Sequence, residues 1–541
     1  MKQMSKVLLV CLVFLLISVA ALAANQNPEG TVTIVGSNIE TLNPILSESS
    51  YETTVLNGIF SQLVRLTDQG ALIPDLATEV PSLANGGISA DGLVYTFHLN
   101  PAAKWHDGQP VTAEDVKFTW EMIMNENTAV PSRNGYDEID RIETPDRHTV
   151  VMYKTKATAD WLLNWAQTSG CIIPKHLWKD VDPLEFTKGH PLSRQPIGSG
   201  PFKLAEWQSA SYLILEANQE YFGDGPYLEK VIYKEVENNL TQLTMLKTGE
   251  ADIALNIEGQ QLEQAQAIDR LDVALNPASI YVHMTFNLDN PIFQDKRTRQ
   301  ALSHALPREQ IVDKILNGVG LPAATSTAPV LWAYDQNIKP YSYDMEKAAQ
   351  LLAEAGWKDV DGDGVLENQD GLKFEFSIAT NAGRQVRERI AQIAQQFWGQ
   401  LGVKVELDFE ESTTLYGDTL DNRKFDMIMF GWITPATPDE FTLYHSSQIP
   451  TPENGMAGQN YAGYVNEKVD SLLEAGQYLL NDKDRLPLYQ MIQQIVYDEL
   501  PMLYVYFYVN IDVAPKNLLN WKPAPFTNAR SWNMYEWKLA N

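Results

Sequence analysis

Residues 359–370 carry the densest chemical pattern in the chain, DVDGDGVLENQD. Carboxylates stand at positions 1, 3, 5, 9 and 12, with glycine at 6 and the Val365 carbonyl at 7, the oxygen spacing of a calcium loop. Alternate residues can turn oxygens toward one hard cation while Gly364 allows the sharp bend. Two features depart from the pattern. Asp370 stands where a bidentate Glu is usual, and Gly356 stops the entering helix before the loop begins. The spacing therefore supports two readings. One is a structural Ca2+ held by Asp359, Asp361, Asp363, Val365, Glu367 and Asp370. The other is a solvated turn leading from Trp357 into a strand over residues 373–378, where Asp and Gly suit the backbone. Neither is catalytic, and no cofactor for function is expected.

Signatures of catalysis are missing from the sequence. Histidines 98, 106, 148, 176, 190, 283, 304 and 445 form no HExxH pair and no short metal spacing. Gly198-Ser199-Gly200 is not a nucleophile elbow, and no GxxxxGK[ST] phosphate loop occurs. His106 beside Asp107 reads as a surface or capping residue, and Cys171 before Ile172-Ile173 as a small packed hydrophobe. Binding groups are better represented. The apolar strand over residues 425–431 ends at Trp432 and runs into Ile433-Thr434-Pro435, and strand ends bear sites in open α/β sheets. Ser37 and Asn38 follow the first strand, Asn287 follows residues 281–286, Asn381 and Arg384 precede a helix, and Asn460-Tyr461 lies in a Gly-containing loop. Each of these polar residues also suits a turn or a cap.

The elements that must position these groups alternate between strand and helix. Residues 31–37, 94–99, 149–153, 200–204, 403–409 and 503–513 read as strands. Residues 51–64, 112–124, 345–355, 384–401, 468–480 and 488–498 read as helices, the second opened by Thr112 with Glu114 and Asp115 in its first turn. The pattern is mixed α/β, without repeats or a Gly/Ser linker. A chain of 541 residues suggests two to four domains. Its 41 basic against 69 acidic residues, a net −28, argue against nucleic acid and against anionic membrane surfaces. Residues 1–23 read as a cleavable signal peptide: Lys2 and Lys6, an apolar run over 7–19, and Ala21-Leu22-Ala23. Cys11 lies inside that run after Val10, so a lipoprotein is not expected. The exported chain would keep only Cys171 and form no internal disulfide.

Four stretches together carry a resemblance: YTFHLNPAAKWHDGQPVTAEDVKFTW (residues 95–120), LNGIFSQLVRLTDQGALIPDLATE (56–79), PIGSGPF (196–202) and IFQDKRTRQAL (292–302). In this order they resemble the extracytoplasmic solute-binding proteins of ABC importers, oligopeptide/dipeptide family 5. The resemblance implies a two-lobed, type II periplasmic-binding-protein-like α/β fold with an extra α/β subdomain on the N-terminal lobe. It places lobe I at residues 31–65, 172–270 and 507–541, the subdomain at 66–171 and lobe II at 271–506. It also implies a monomeric receptor, not an enzyme, closing over an extracytoplasmic oligopeptide and delivering it to a membrane permease. In the family's peptide binders the junction at Trp432 lies in the cleft, and many carry an Asp just after the Trp that pairs with the peptide α-ammonium. Here that place falls at Pro435, which offers no polar side chain, while Asp439 lies further on. An oligosaccharide receptor of the same fold and an exported hydrolase are the alternatives.

Overall fold

The computed structural model describes residues 28–540; the signal-peptide reading lies outside the described residues. Ten strands build most of one large sheet: β1 (Thr31–Gly36), β2 (Phe202–Gln208), β3 (Tyr212–Ala217), β4 (Lys230–Glu235), β5 (Ile253–Ala254), β6 (Leu271–Phe286), β7 (Glu375–Asn381), β8 (Lys404–Glu410), β9 (Met427–Ile433) and β10 (Met502–Pro515). Their order is β8-β7-β9-β6-β10-β5-β1-β4-β3-β2, and a short Leu321–Pro322 strand joins β10 off this path. β1 pairs in parallel with β4 and β5, and β7 in parallel with β8 and β9. Each parallel group needs crossover connections, which agrees with the strand–helix alternation of the sequence.

β6 and β10 hold the two halves of the sheet together. Their antiparallel register runs from Leu271 opposite Pro515 to Thr285 opposite Met502, with a break between Pro277 and Tyr281. There Ala278, Ser279 and Ile280 face only Tyr508, a bulge that bends the ribbon where one half passes into the other. Residues 281–286 were legible as a strand, but Leu271–Pro277 were not. Their mixed polarity fits a half-exposed ribbon rather than a buried run.

Helices pack on both halves. α1 (Ser50–Ile59) opens on a Ser49/Glu52 capping box, and the buried Glu52 carboxylate also accepts the Glu40 and Thr41 N–H groups at 3.0 and 3.1 Å. α2 (Ala113–Met124) starts where Thr112 and Asp115 place it: the Asp115 carboxylate accepts from the Thr112 N–H at 2.8 Å and from the Lys175 N–H at 2.9 Å. α2 contacts a separate three-stranded antiparallel sheet of Val94–His98, Thr149–Lys154 and Ile139–Asp146. α3 (Gln385–Gly399) buries Ile390, Ala391, Ala394 and Trp398 against β7 and β9. α4 (Glu467–Tyr478) and α5 (Asp482–Glu499) pack side by side near the C-terminal end.

The quoted motifs meet in space. Gly198 and Gly200 lie against the C-terminal turn of α1, where the Gly200 N–H donates to the Ile59 carbonyl at 2.8 Å. His106 clasps the same segment: its N–H donates to the Gly198 carbonyl, its Nδ1 accepts the Gly198 N–H at 3.2 Å, and its Nε2 is 3.1 Å from the Gly200 carbonyl. Burial lowers the His106 pKa to about 4, keeping the ring neutral. The expected surface or capping histidine is thus a partly buried clamp. Among the described residues, no helix is long and apolar enough to cross a membrane.

Candidate functional site

The β9 strand delivers its last residues beside the β6 bulge. Ile433 pairs with Ile280, and Thr434 then donates from both its N–H and its hydroxyl to the Ser279 carbonyl, at 2.7 and 2.8 Å. This pins the following loop, residues 434–440, to the bend between the sheet halves. A cavity of about 430 Å³ opens there. One wall is Ser279 with Ile433, Thr434, Pro435, Thr437 and Asp439; the facing wall is the stretch from Lys156 to Gln167, around Asp160 and Trp161. Phe526 and Leu66 add apolar surface.

An ionic cluster ties the walls together. Asp160 has a left-handed backbone (φ 56°) and accepts both guanidinium nitrogens of the buried Arg485, on α5, Nη1 at 2.8 Å. Thr437 donates its hydroxyl to the same carboxylate. Arg485 also reaches the Gly476 carbonyl at 3.1 Å, the Tyr489 hydroxyl at 3.0 Å and Asp482 at 3.1 Å. Near the other end Glu138 meets Lys154 at 3.1 Å and Lys156 at 3.3 Å. Lys154 is buried over the Trp161 ring, and that burial pushes its pKa down to about 8. Beneath the loop, Glu440 is buried and accepts from the Thr327 hydroxyl at 3.1 Å; burial raises its carboxyl pKa to about 7.

Residues 71–453 match the family model for bacterial extracellular solute-binding proteins, family 5. The chain belongs to this family. It is 31% identical to the oligopeptide-binding protein AppA of Bacillus subtilis over 97% of this chain and 94% of that protein. The structure of Bacillus subtilis AppA in complex with a nonapeptide superposes with a TM-score of 0.71 at 30% identity, covering 95% of this chain and all of that one. NikZ from Campylobacter jejuni, in complex with Ni(L-His), gives a TM-score of 0.72 at 29% identity over 94% of this chain and 100% of that one. The two-lobed α/β fold of these solute-binding proteins is the fold of this chain.

Within this solute-binding protein the residues singled out from sequence separate. Thr434 and Pro435 line the cavity, Thr434 through its pinned backbone. Trp432 does not line it: its side chain points to the opposite face of β9, with its ring 5.7 Å from that of Phe430. Ile433, one residue on and 60% exposed, faces the cavity instead, because side chains alternate along a strand. Tyr461 packs on the same small cluster as Phe430, with its hydroxyl 3.3 Å from Asp421. Asn381 is buried and used up: its Oδ1 accepts from Arg387 at 2.6 Å and Tyr416 at 3.1 Å, and its amide donates to Ser412 at 3.0 Å. Arg384 is exposed, while Arg387, one helical turn on, makes the contact.

The remaining four candidates do not line the cavity. Asn287 lies at the far end of β9 from Trp432 and donates to the Phe425 carbonyl at 2.9 Å. Asn460 is fully buried, with its amide on the Tyr464 and His445 carbonyls and its Oδ1 accepting the Tyr464 N–H. The Ser37 carbonyl accepts the Tyr233 hydroxyl at 2.8 Å, and Asn38 is exposed; neither lines the cavity. Asp160, Trp161, Ser279, Ile433 and Arg485 were missed. Asp160 and Arg485 are 325 positions apart, so no local spacing could have paired them.

In the acidic loop, Asp359, Asp361 and Asp363 bring carboxylate oxygens within 4.8 Å of one another. Asp359 accepts the Gly362 and Gly364 N–H groups, Asp361 that of Asp363, and Asp363 that of Val365. Lys373 supplies a cation from within the chain, bonding to Asp363, lying 3.4 Å from Asp361 and 3.8 Å from Glu367. Asp370 is outside this group and donates its N–H to Asn368.

Proposed function

We propose that this protein is the receptor of an ABC importer, capturing an oligopeptide between its lobes and passing the closed, loaded form to a membrane permease. The observation that carries this reading is the place of the cavity. Its wall includes Ser279 in the β6 bulge, so a ligand touches the bend through which one half of the sheet meets the other. Ligand contact there favours one lobe arrangement by its differential affinity, and no bond-making step is required. The peptide class is supported by the peptide-binding relative and by a cavity wall rich in amide and hydroxyl groups that can meet peptide backbone. On this reading residues 1–23 direct export and are cleaved, the mature chain carries no lipid, and the receptor acts as a monomer. The test is native mass spectrometry of protein purified from its export compartment, with denaturing release of what it holds. Masses spaced by amino-acid residues are expected; hexose or pentose spacings would overturn the peptide class, and turnover of peptides or glycosides would overturn the receptor reading.

We also propose that Ca2+ and Lys373 compete for the carboxylates of the 359–370 loop, since either supplies the positive charge they require. Lys373→Met should then make the melting temperature rise more with millimolar calcium than it does in the parent chain. Equal responses to calcium and to chelator in both proteins would leave the loop as a turn.

A further inference from the structure

Four charged side chains line the cavity, Glu138, Lys156, Asp160 and Asp439, and each has partners inside the protein. Glu138 meets Lys154 and Lys156 and also accepts the Thr158 hydroxyl at 2.7 Å. Asp160 has Arg485 and Thr437. Asp439 accepts the Phe441 N–H at 3.0 Å on one oxygen and the Gln477 side-chain amide at 3.1 Å on the other. A ligand charge would have to displace one of these partners to gain its contact. The apolar lining is in the opposite condition. Met427 and Met429 share a face of β9 with Ile433 and are fully buried, whereas Ile433 is 60% exposed. Tyr478, the last residue of α4, is 59% exposed. Both line this cavity, while Leu66 and Phe526, also in its lining, are already buried. Apolar area left in water at a cavity wall is area that an apolar group of a ligand can remove from it.

We propose that Ile433 and Tyr478 form an apolar subsite, so that the receptor selects peptides by a large aliphatic or aromatic side chain. The proposal rests on the reading of the cavity as the chamber for a peptide, and it adds the class of side chain. Both positions are fixed before a ligand arrives. Ile433 is held by its pairing with Ile280. The end of α4 is held by Gln477, whose side-chain amide donates to Asp439 and whose carbonyl accepts the Ala159 N–H at 2.8 Å. A ligand side chain buried against these two residues therefore gains apolar contact at little cost in ordering the protein.

The test uses three equimolar libraries of unblocked pentapeptides: Gly, Ala and Ser only, the same with one Leu or Phe, and the same with one Lys or Glu. Each is incubated with ligand-stripped full-length mature protein, and retained peptides are counted by mass spectrometry. The parent protein should retain the Leu/Phe library over the other two by about tenfold or more, the scale of burying one large apolar side chain. Ile433→Thr keeps a β-branched residue at the strand end, and Tyr478→Ser alters an exposed helix end; thermal unfolding checks that both variants are folded. Each should cut the preference by about threefold or more, and the double variant should abolish it. Equal retention of all three libraries by the parent protein would overturn the subsite while leaving the peptide reading intact, and this comparison needs no variant. Preferential retention of the Lys/Glu library would overturn it in the same way. An unchanged Leu/Phe preference in the folded double variant would also overturn it. Retention of no library would overturn the peptide reading, and the subsite with it.

Discussion

Replacing Arg485 by Met should destabilise the protein by about 3–5 kcal/mol, the range for breaking a buried ion pair by removing one partner. The side chain is 2% exposed and bonds to Asp160, Asp482, Gly476 and Tyr489, so its loss strands several polar groups at once. Most of the cost is the Asp160 carboxylate left without its cation. Adding Asp160→Asn to Arg485→Met should therefore recover part of the loss, and a double-mutant cycle in urea measures how much. The pair joins the Lys156–Gln167 wall to α5, so ligand affinity should fall with stability in the single variant. A loss below about 1 kcal/mol would mean that the cluster is solvated and that the walls are held by other contacts.

Gly198→Ala should be at least as damaging. A Cβ at Gly198 would stand 2.0 Å from the Ile59 carbonyl oxygen and 2.8 Å from its carbon. These are backbone atoms of the α1 end, which cannot turn aside as a side chain would. The segment cannot back away either, because His106 clasps it through the Gly198 N–H and carbonyl. Overpacking against fixed backbone belongs to the upper tail of single substitutions, about 4 kcal/mol or more. Gly189→Ala, with nothing within 4 Å of its added Cβ, should stay within about 0.5 kcal/mol and serves as the control. Expression of folded protein followed by thermal unfolding separates the outcomes. A stable Gly198→Ala chain would show that α1 and the PIGSGPF segment can part without cost.

How the site relates to the sequence is clearest at β9. The run FDMIMFGW is apolar enough to declare a buried strand, and the residues after it suit a loop; both are local properties. Which side chain of that strand meets the cavity is not local. It depends on the register of β9 against β6, where Trp432 falls opposite Tyr281 and Ile433 opposite Ile280, so the larger aromatic was singled out and its neighbour faces the cavity. The same holds for Asn381, at the end of β7, and Asn460, in its loop: both are consumed by Arg387, Tyr416 and backbone groups brought in by folding.

By itself the sequence determined the mixed α/β class, the helix starts written by Thr112/Asp115 and by the apolar face of α3, the strand ends near the site, and the family, because caps, periodicity and motifs act over a few residues. Only the tertiary structure decided that β6 and β10 form one bent ribbon through both halves of the sheet, that Asp160 and Arg485 close on each other, and that Asp439 lines the cavity with Gln477 as its side-chain donor. Charge balance within a cavity is a sum over residues hundreds of positions apart, and no window on the chain contains its terms.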